Sequence, residues 1–306
     1  DTVYVSPAAG FLALLPVIDR LRVDPTLADQ SAEQIFKMAQ REVRWHYQWL
    51  ILHEFLPKTV GQAMVDHVLT HGRKFYKWRN APYIPVEFSV AAYRFGHSQV
   101  RPSYRVNFGP SDANQLFALL FNDGLAVSPV AVDMRGGTRA PNRFIDWQTF
   151  FDFGDNRSRN NKRIDTRLST VLLDLPGIPG GEPQSLASRN LLRHLTFKLP
   201  SGQAVAKAMG VPPLPAAALQ VLQPLNLEER TPLWFYVLLE AEKPADGKHL
   251  GPVGGRIVAE VFIGLLQGDP MSYLCQEPGW TPNLGATPDQ FSMVDLLNRA
   301  GVVTAL

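Results

Sequence analysis

Apolar positions along this chain recur at helical rather than strand spacing. After the polar run Asp29-Gln30-Ser31, the residues Ile35, Ala39, Val43, Tyr47 and Leu50 return every three or four positions as far as Pro57, a span of about seven turns. Ser31 with Gln34 three residues later has the spacing of a capping box, which marks where that helix starts. A second helix is expected from Val60 to about His71, stopped by Gly72. Pro82 and Pro85 stand just outside a third, Val86 to about Gln99. Residues 100–165 are polar and punctuated by Gly and Pro, with a short helix expected over Asp112 to Leu120. Trp147 to Phe153 reads as an aromatic helical turn against the core. Helices are also expected over 185–196, at the centre of 212–224, over Pro232 to Glu242 and over Gly251 to Leu266. Clean period-two runs joined by Asn-Gly or Asp-Gly turns are lacking. The pattern predicts an all-α fold in a single domain over 1–306, since no linker separates two cores.

Composition narrows the picture without changing it. A chain of 306 residues holds one large domain or two ordinary ones, and 45% apolar with 19% charged residues is the balance of a soluble globular protein. A formal charge of +2 gives no argument for nucleic acid or a membrane surface. The apolar run Phe11 to Ile18, read as broken by Pro16, is too short to span a bilayer, and no basic segment precedes it as a signal peptide requires. The chain starts at Asp1 without a methionine, as a processed or fragmentary terminus would. Cys275 is the lone cysteine, which excludes an internal disulfide, a cysteine-based zinc site and a Cys-x-x-Cys pair. One thiol fits a reducing compartment such as the cytoplasm without requiring it. Asp155 to Arg167, with five basic and two acidic residues, reads as a solvated loop.

Histidines offer the metal chemistry. His67 and His71 stand four apart, a spacing that can hold zinc, but no third ligand follows. They read better as surface histidines favoured by a helix C-terminus. His46 and His53, among Trp45, Tyr47 and Trp49, read as partly buried core residues. His97 ends an apolar stretch containing Phe88, Val90, Ala91, Ala92 and Tyr93. Gly96 before it carries no side chain, as a flat macrocycle near the backbone would need, and Arg94 lies one turn earlier, where it can meet a carboxylate. On spacing alone a structural histidine is the leading reading.

A wider set of segments changes that reading. The run Glu87-Phe88-Ser89-Val90-Ala91-Ala92-Tyr93-Arg94-Phe95-Gly96-His97-Ser98 resembles the proximal-helix motif of the animal haem peroxidases, of the peroxidase–cyclooxygenase superfamily. The helix closing in His53-Glu54-Phe55-Leu56-Pro57 is similar to that family's helix with an acidic-aromatic-Leu-Pro ending. Ile164 to Leu168, Leu186 to Arg193, Gly251 to Glu260 and Gly279 to Pro282 follow in the family's order, in its bacterial version. The resemblance covers residues 31–300 and leaves 1–30 divergent.

That resemblance implies a helical haem-binding domain with haem b iron held by His97 as the axial metal ligand. It implies that Asn190 accepts a hydrogen bond from the other ring nitrogen of His97, and that Arg94 and Arg193 lie near the haem edge, meeting a propionate. The implied reaction is oxidation of small electron donors by hydrogen peroxide. Related fatty-acid oxygenases carry a radical-bearing tyrosine three residues before this histidine. Here that position is Arg94, and Tyr93 is one residue further back, which favours the peroxidase branch.

Peroxide chemistry also needs a base to move the peroxide proton and a cation to stabilise the charge that develops as O–O breaks. The family carries a distal histidine and arginine upstream, but here no histidine precedes His46 and no arginine precedes Arg20. Phe11 to Pro16 stands about where the family's arginine belongs. No catalytic distal residue is therefore assigned, and the calcium loop is not expected in this segment. Two expectations follow. Either the distal side lies on a missing segment or a partner chain, or this is a catalytically impaired peroxidase-like protein; the enzyme reading leads.

Overall fold

The computed structural model describes residues 2–108, 118–119, 145–178, 180, 182–243 and 245–303; for residues 2–11 and 118–119 it describes the backbone alone. Helices dominate, as the apolar spacing predicts. The chain opens with α1 (Thr2–Arg22), which runs straight through Pro16 rather than stopping there. Pro16 lies on the exposed side, so the carbonyl it leaves unbonded can face water. Ala13, Leu14, Val17 and Leu21 are buried on the other side against α2 (Ala32–Leu50).

The capping box at the start of α2 is formed: Ser31 Oγ accepts from Gln34 N at 3.2 Å, and Gln34 Oε1 accepts from Ser31 N at 2.7 Å. The helix then continues past the expected stop at Pro57. A π turn (Ile51–Phe55) leads into α3 (Leu56–Val60). Proline cannot supply the ladder N–H, and one wider turn just before it takes up the mismatch. Gly61, at φ +84°, makes the break before α4 (Gln62–His71), and Gly72, at φ +76°, ends α4 where expected.

The stretch predicted as one regular helix over Val86–Gln99 is built from three pitches: a π turn (Glu87–Ala91), a 3-10 turn (Ala92–Phe95) and α5 (Gly96–Gln99). Ala91 absorbs the change at φ −127°, ψ −76°. Beyond it, β1 (Ser103–Tyr104) pairs antiparallel with β2 (Ala118–Leu119). The helix expected over Asp112–Leu120 lies outside the described residues except at Ala118–Leu119, which are extended. Trp147–Thr149 forms the expected helical turn, with Trp147, Phe151 and Phe153 packed on the core. Asp155–Arg167 is an irregular segment, anchored by buried Ile164.

The second half holds α6 (Leu186–Thr196), α7 (Gly202–Met209), α8 (Ala216–Leu219), α9 (Leu233–Glu242), α10 (Pro252–Gly268), α11 (Tyr273–Gln276) and α12 (Met293–Arg299). Of these α7, α11 and α12 are not foreseen from spacing, although Ser201 and Ser292 cap two of them. No described helix is long and apolar enough to cross a membrane.

Two apolar clusters organise the molecule. One gathers the 87–99 segment, α3, α4, α7, α9 and α10; the other gathers α1, α2 and α12, and Trp49 packs on both. Buried carboxylates pin the elements together. Glu260 on α10, 1% exposed, accepts from the backbone N–H groups of Lys74, Phe75 and Tyr76. Glu240 on α9 accepts from Val253 and Gly254 at the start of α10, where unpaired helix N–H groups favour an acceptor. The contact is so close that a Cβ on Gly251 would sit 2.2 Å from Glu240 Cγ.

Candidate functional site

The irregular winding of 87–99 decides which side chains meet. In a 3-10 turn, positions three apart are eclipsed, so Arg94 and His97 come into line as the chain passes from the 3-10 turn into α5. Tyr93 turns the other way, into the core. Its ring stacks on Phe88 at 4.6 Å with an interplanar angle of 11°, and packs edge-on against Phe262. The segment is held from both ends. Trp234 Nε1 on α9 donates to the Arg94 carbonyl at 3.3 Å, and Lys162 Nζ donates to the Ser98 carbonyl at 3.2 Å. Neither anchor is visible in the sequence, because each spans a long separation.

Across from this segment, α6 carries Asn190, which is fully buried. Ser185 caps α6 by accepting from Ser188 N at 3.3 Å. The Asn190 amide stands between the two residues of the 87–99 segment. Its Oδ1 accepts from Arg94 Nη1 at 2.9 Å, and its Nδ2 lies 2.8 Å from His97 Nδ1. Arg94 Nε donates to the Ser89 carbonyl at 3.0 Å, which fixes the guanidinium. So His97, Asn190 and Arg94 are brought together, with Arg94 meeting the Asn190 amide, a contact the motifs do not imply. The sense of the Asn190–His97 contact differs, however: the amide nitrogen, not the oxygen, faces the ring.

Arg193 follows Asn190 by three residues, hence on the same side of α6, and it is exposed. Burial first, and then the charge of Arg193, hold the Arg94 guanidinium below its ordinary value. Among the described residues no carboxylate pairs with either arginine. Burial, then the Arg94 charge, pull the His97 imidazole down to about 4, so the ring is neutral at neutral pH. The His97 Nε2 has no hydrogen-bond partner among the described residues. An extra Cβ at Gly96 would meet nothing within 4 Å, so the backbone just before His97 borders open space. Leu191, Leu192 and Leu195 are exposed on the face of α6 turned away from Asn190.

A partly buried neutral imidazole with one nitrogen unpartnered among the described residues, beside two arginines that no described carboxylate pairs, fits what a haem requires: a ligand for its iron and partners for two carboxylates. Residues 22–161 match the model of the animal haem peroxidase family. The chain's likeness is to the animal haem peroxidases. It is 24% identical over 275 residues to heme peroxidase 2 of Caenorhabditis elegans, a match covering 79% of this chain and 34% of that protein. It is 26% identical over 257 residues to chorion peroxidase of Drosophila melanogaster, covering 79% and 30%. The chain thus spans about a third of the length of the curated relatives it matches. The family match takes in Arg94 and His97, while Asn190 and Arg193 lie beyond it.

The other histidines separate from this site. His67 and His71 are exposed, stacked ring on ring at 4.5 Å, and no group of three metal-ligating side chains occurs among the described residues. His46 is a core residue as expected, and fully rather than partly buried. His53 is exposed rather than a core residue, because the π turn carries its ring out over Trp49 at 3.7 Å.

Proposed function

We propose that this chain forms the proximal side of a haem site in a peroxidase, with His97 Nε2 as axial ligand to the iron of haem b. The single observation that carries the reading is the free Nε2 of a neutral His97 whose other nitrogen is held by buried Asn190. Such a neighbour fixes ring orientation, and its mutation typically changes metal affinity by about 10–100-fold. Arg94 and Arg193 would bind the two propionates. When bound, the haem supplies the redox chemistry by which hydrogen peroxide oxidises small electron donors. The chain's own part is to hold the ligand ring and neutralise the carboxylates.

A second reading is a haem-binding chain without turnover. Arg20 pairs with Glu42 at 2.5 Å, so it is not the cation that polarises peroxide. On the enzyme reading, the distal acid–base pair comes from residues other than Arg20. Titration with haem b tests the ligand assignment: a histidine-ligated absorption spectrum should form and be lost in His97→Ala. A spectrum unchanged by that substitution overturns the assignment. Turnover of a small phenol with peroxide then separates the two readings.

A further inference from the structure

The amide between Arg94 and His97 has its direction imposed from one side. A guanidinium carries donors only, so the Asn190 atom 2.9 Å from Arg94 Nη1 must be the oxygen. The atom left to face the ring is then an NH2 group, 2.8 Å from His97 Nδ1. An NH2 group accepts nothing, so Nδ1 must offer its lone pair and the ring proton must sit on Nε2. An imidazole in that tautomer has no lone pair on Nε2 to give to a metal.

Ligation through Nε2 needs the opposite arrangement: the proton on Nδ1 and an oxygen beside it. Arg94 and His97 stand at different atoms of the amide, so turning it over to bring the oxygen to Nδ1 presents NH2 to Arg94. Two donors facing each other at an amide that is itself fully buried lose stability. The guanidinium must therefore leave Asn190 before His97 can bind a metal through Nε2.

We propose that Arg94 is a latch, whose hold on the Asn190 oxygen and axial ligation by His97 are mutually exclusive. This rests on the proposed haem reading, and it adds a coupling between the two ends of the site. Carboxylates at the edge of the macrocycle draw Arg94 away from Asn190, with Arg193 on the same side of α6 adding a second cation. The amide turns, and the ring proton moves to Nδ1. Axial ligation is thus conditional on an anionic edge, so an iron porphyrin without carboxylates is discriminated against by the protein's own hydrogen bonding. Arg94 acts here as a positioning residue, through Asn190.

The test uses the haem-free chain and two probes: haem b and its dimethyl ester, which has no carboxylate. In 15N-histidine NMR of the haem-free wild type, His97 should carry its proton on Nε2. In Arg94→Leu the proton should move largely to Nδ1, while Arg94→Lys, which keeps a cationic donor, should hold the wild-type tautomer. The ester should bind Arg94→Leu about tenfold more tightly than wild type, the low end of typical effects from groups around a ligand, and haem b should bind it more weakly. A wild-type ring already protonated on Nδ1 overturns the latch without any variant being needed. Ester affinity equal or lower in Arg94→Leu overturns it too. Failure of the haem reading is a separate result: His97→Ala would then bind haem b with an unchanged spectrum, whatever the tautomer.

Discussion

His46 and His97 are both pulled down to about 4, chiefly by burial, yet the structure uses them in opposite ways. His46 sits at the junction of α2 with the loop before α12, fully buried, with every polar atom engaged. Its Nδ1 lies 2.7 Å from the Glu42 carbonyl and donates to it, because Nε2 accepts from both Asn283 N and Leu284 N at 3.0 Å. Trp280 and Phe291 close over the ring edge-on at 4.9 and 4.8 Å. His97 has one nitrogen held and the other without a partner among the described residues. A depressed imidazole pKa therefore does not mark a ligand; a ring nitrogen left without a partner does. His46 is a tautomer locked for structure, whereas His97 is one whose direction depends on a neighbour that can turn.

Removing each ring should separate the two roles. His46→Ala leaves two N–H groups and a carbonyl unpaired and opens a cavity among aromatic rings, so it should cost about 4 kcal/mol in denaturant unfolding. His97→Ala should cost about 1 kcal/mol or less, since the ring is half-buried and makes one hydrogen bond. Equal costs would end the distinction. Haem titration should sort them in reverse, with the histidine-ligated spectrum kept in any His46 variant that folds and lost in His97→Ala.

Among the histidines, acid should act mainly through His46, against the opposite contribution of Glu240, which burial pushes up to about 7. The unfolded ring binds a proton below about 6.5 and the folded ring only below about 4, so between these values the unfolded state holds more protons and stability falls as pH falls. Stability from this group is fully present above pH 6.5, and about 3 kcal/mol of it is lost on passing to pH 4. His97 contributes with the same sign but less, because its ring is partly exposed and water screens it. Unfolding of the haem-free chain at several pH values checks this. His46→Gln should flatten the profile more than His97→Gln, and the opposite ranking would contradict the buried-ring account.

Much of the helix inventory was legible because amphipathic spacing and caps are local signals: the Ser31–Gln34 box, the Gly72 stop and helices α6, α9 and α10 all stand where apolar period and cap chemistry put them. What escaped depends on distant partners. Pro16 and Pro57 read as breaks, but tertiary packing overrides one and a π turn absorbs the other. The same kind of turn carries His53 out to the surface, and no periodicity argument foresees a change of pitch. At the site, the residues Arg94, His97, Asn190 and Arg193 were reached through motif resemblance, not spacing. The reversed amide could not be read from motifs at all, because it follows from which of two neighbours is donor-only in three dimensions.

Asn190 offers a smaller test of what holds His97. Asn190→Ala removes the partner of Nδ1 without touching the ligand itself. Haem affinity should fall by about 10–100-fold, and the reduction potential of the bound haem should shift. Water can enter the small vacancy and restore part of the contact, which is why the loss should be less than that of His97→Ala. No change in potential would show that the amide is a spectator, leaving His97 no better positioned than an ordinary half-exposed histidine.

The smallest effects expected are at the caps of the two helices that carry this comparison. Ser31→Ala breaks a reciprocal pair of bonds on α2, the helix of His46, and should lower global stability by about 1 kcal/mol. Ser185→Ala breaks a single bond of 3.3 Å on α6, the helix of Asn190, and should cost about 0.5 kcal/mol. Fraying of the first turn of α6 ends before Asn190, which is five residues in and buried. The haem spectrum and affinity should therefore be unmoved in Ser185→Ala, while the unfolding midpoint falls slightly. If affinity instead falls as it does in Asn190→Ala, the amide is held by the cap rather than by its burial and by Arg94. The rigid support assigned to the His97 side would then belong to His46 alone.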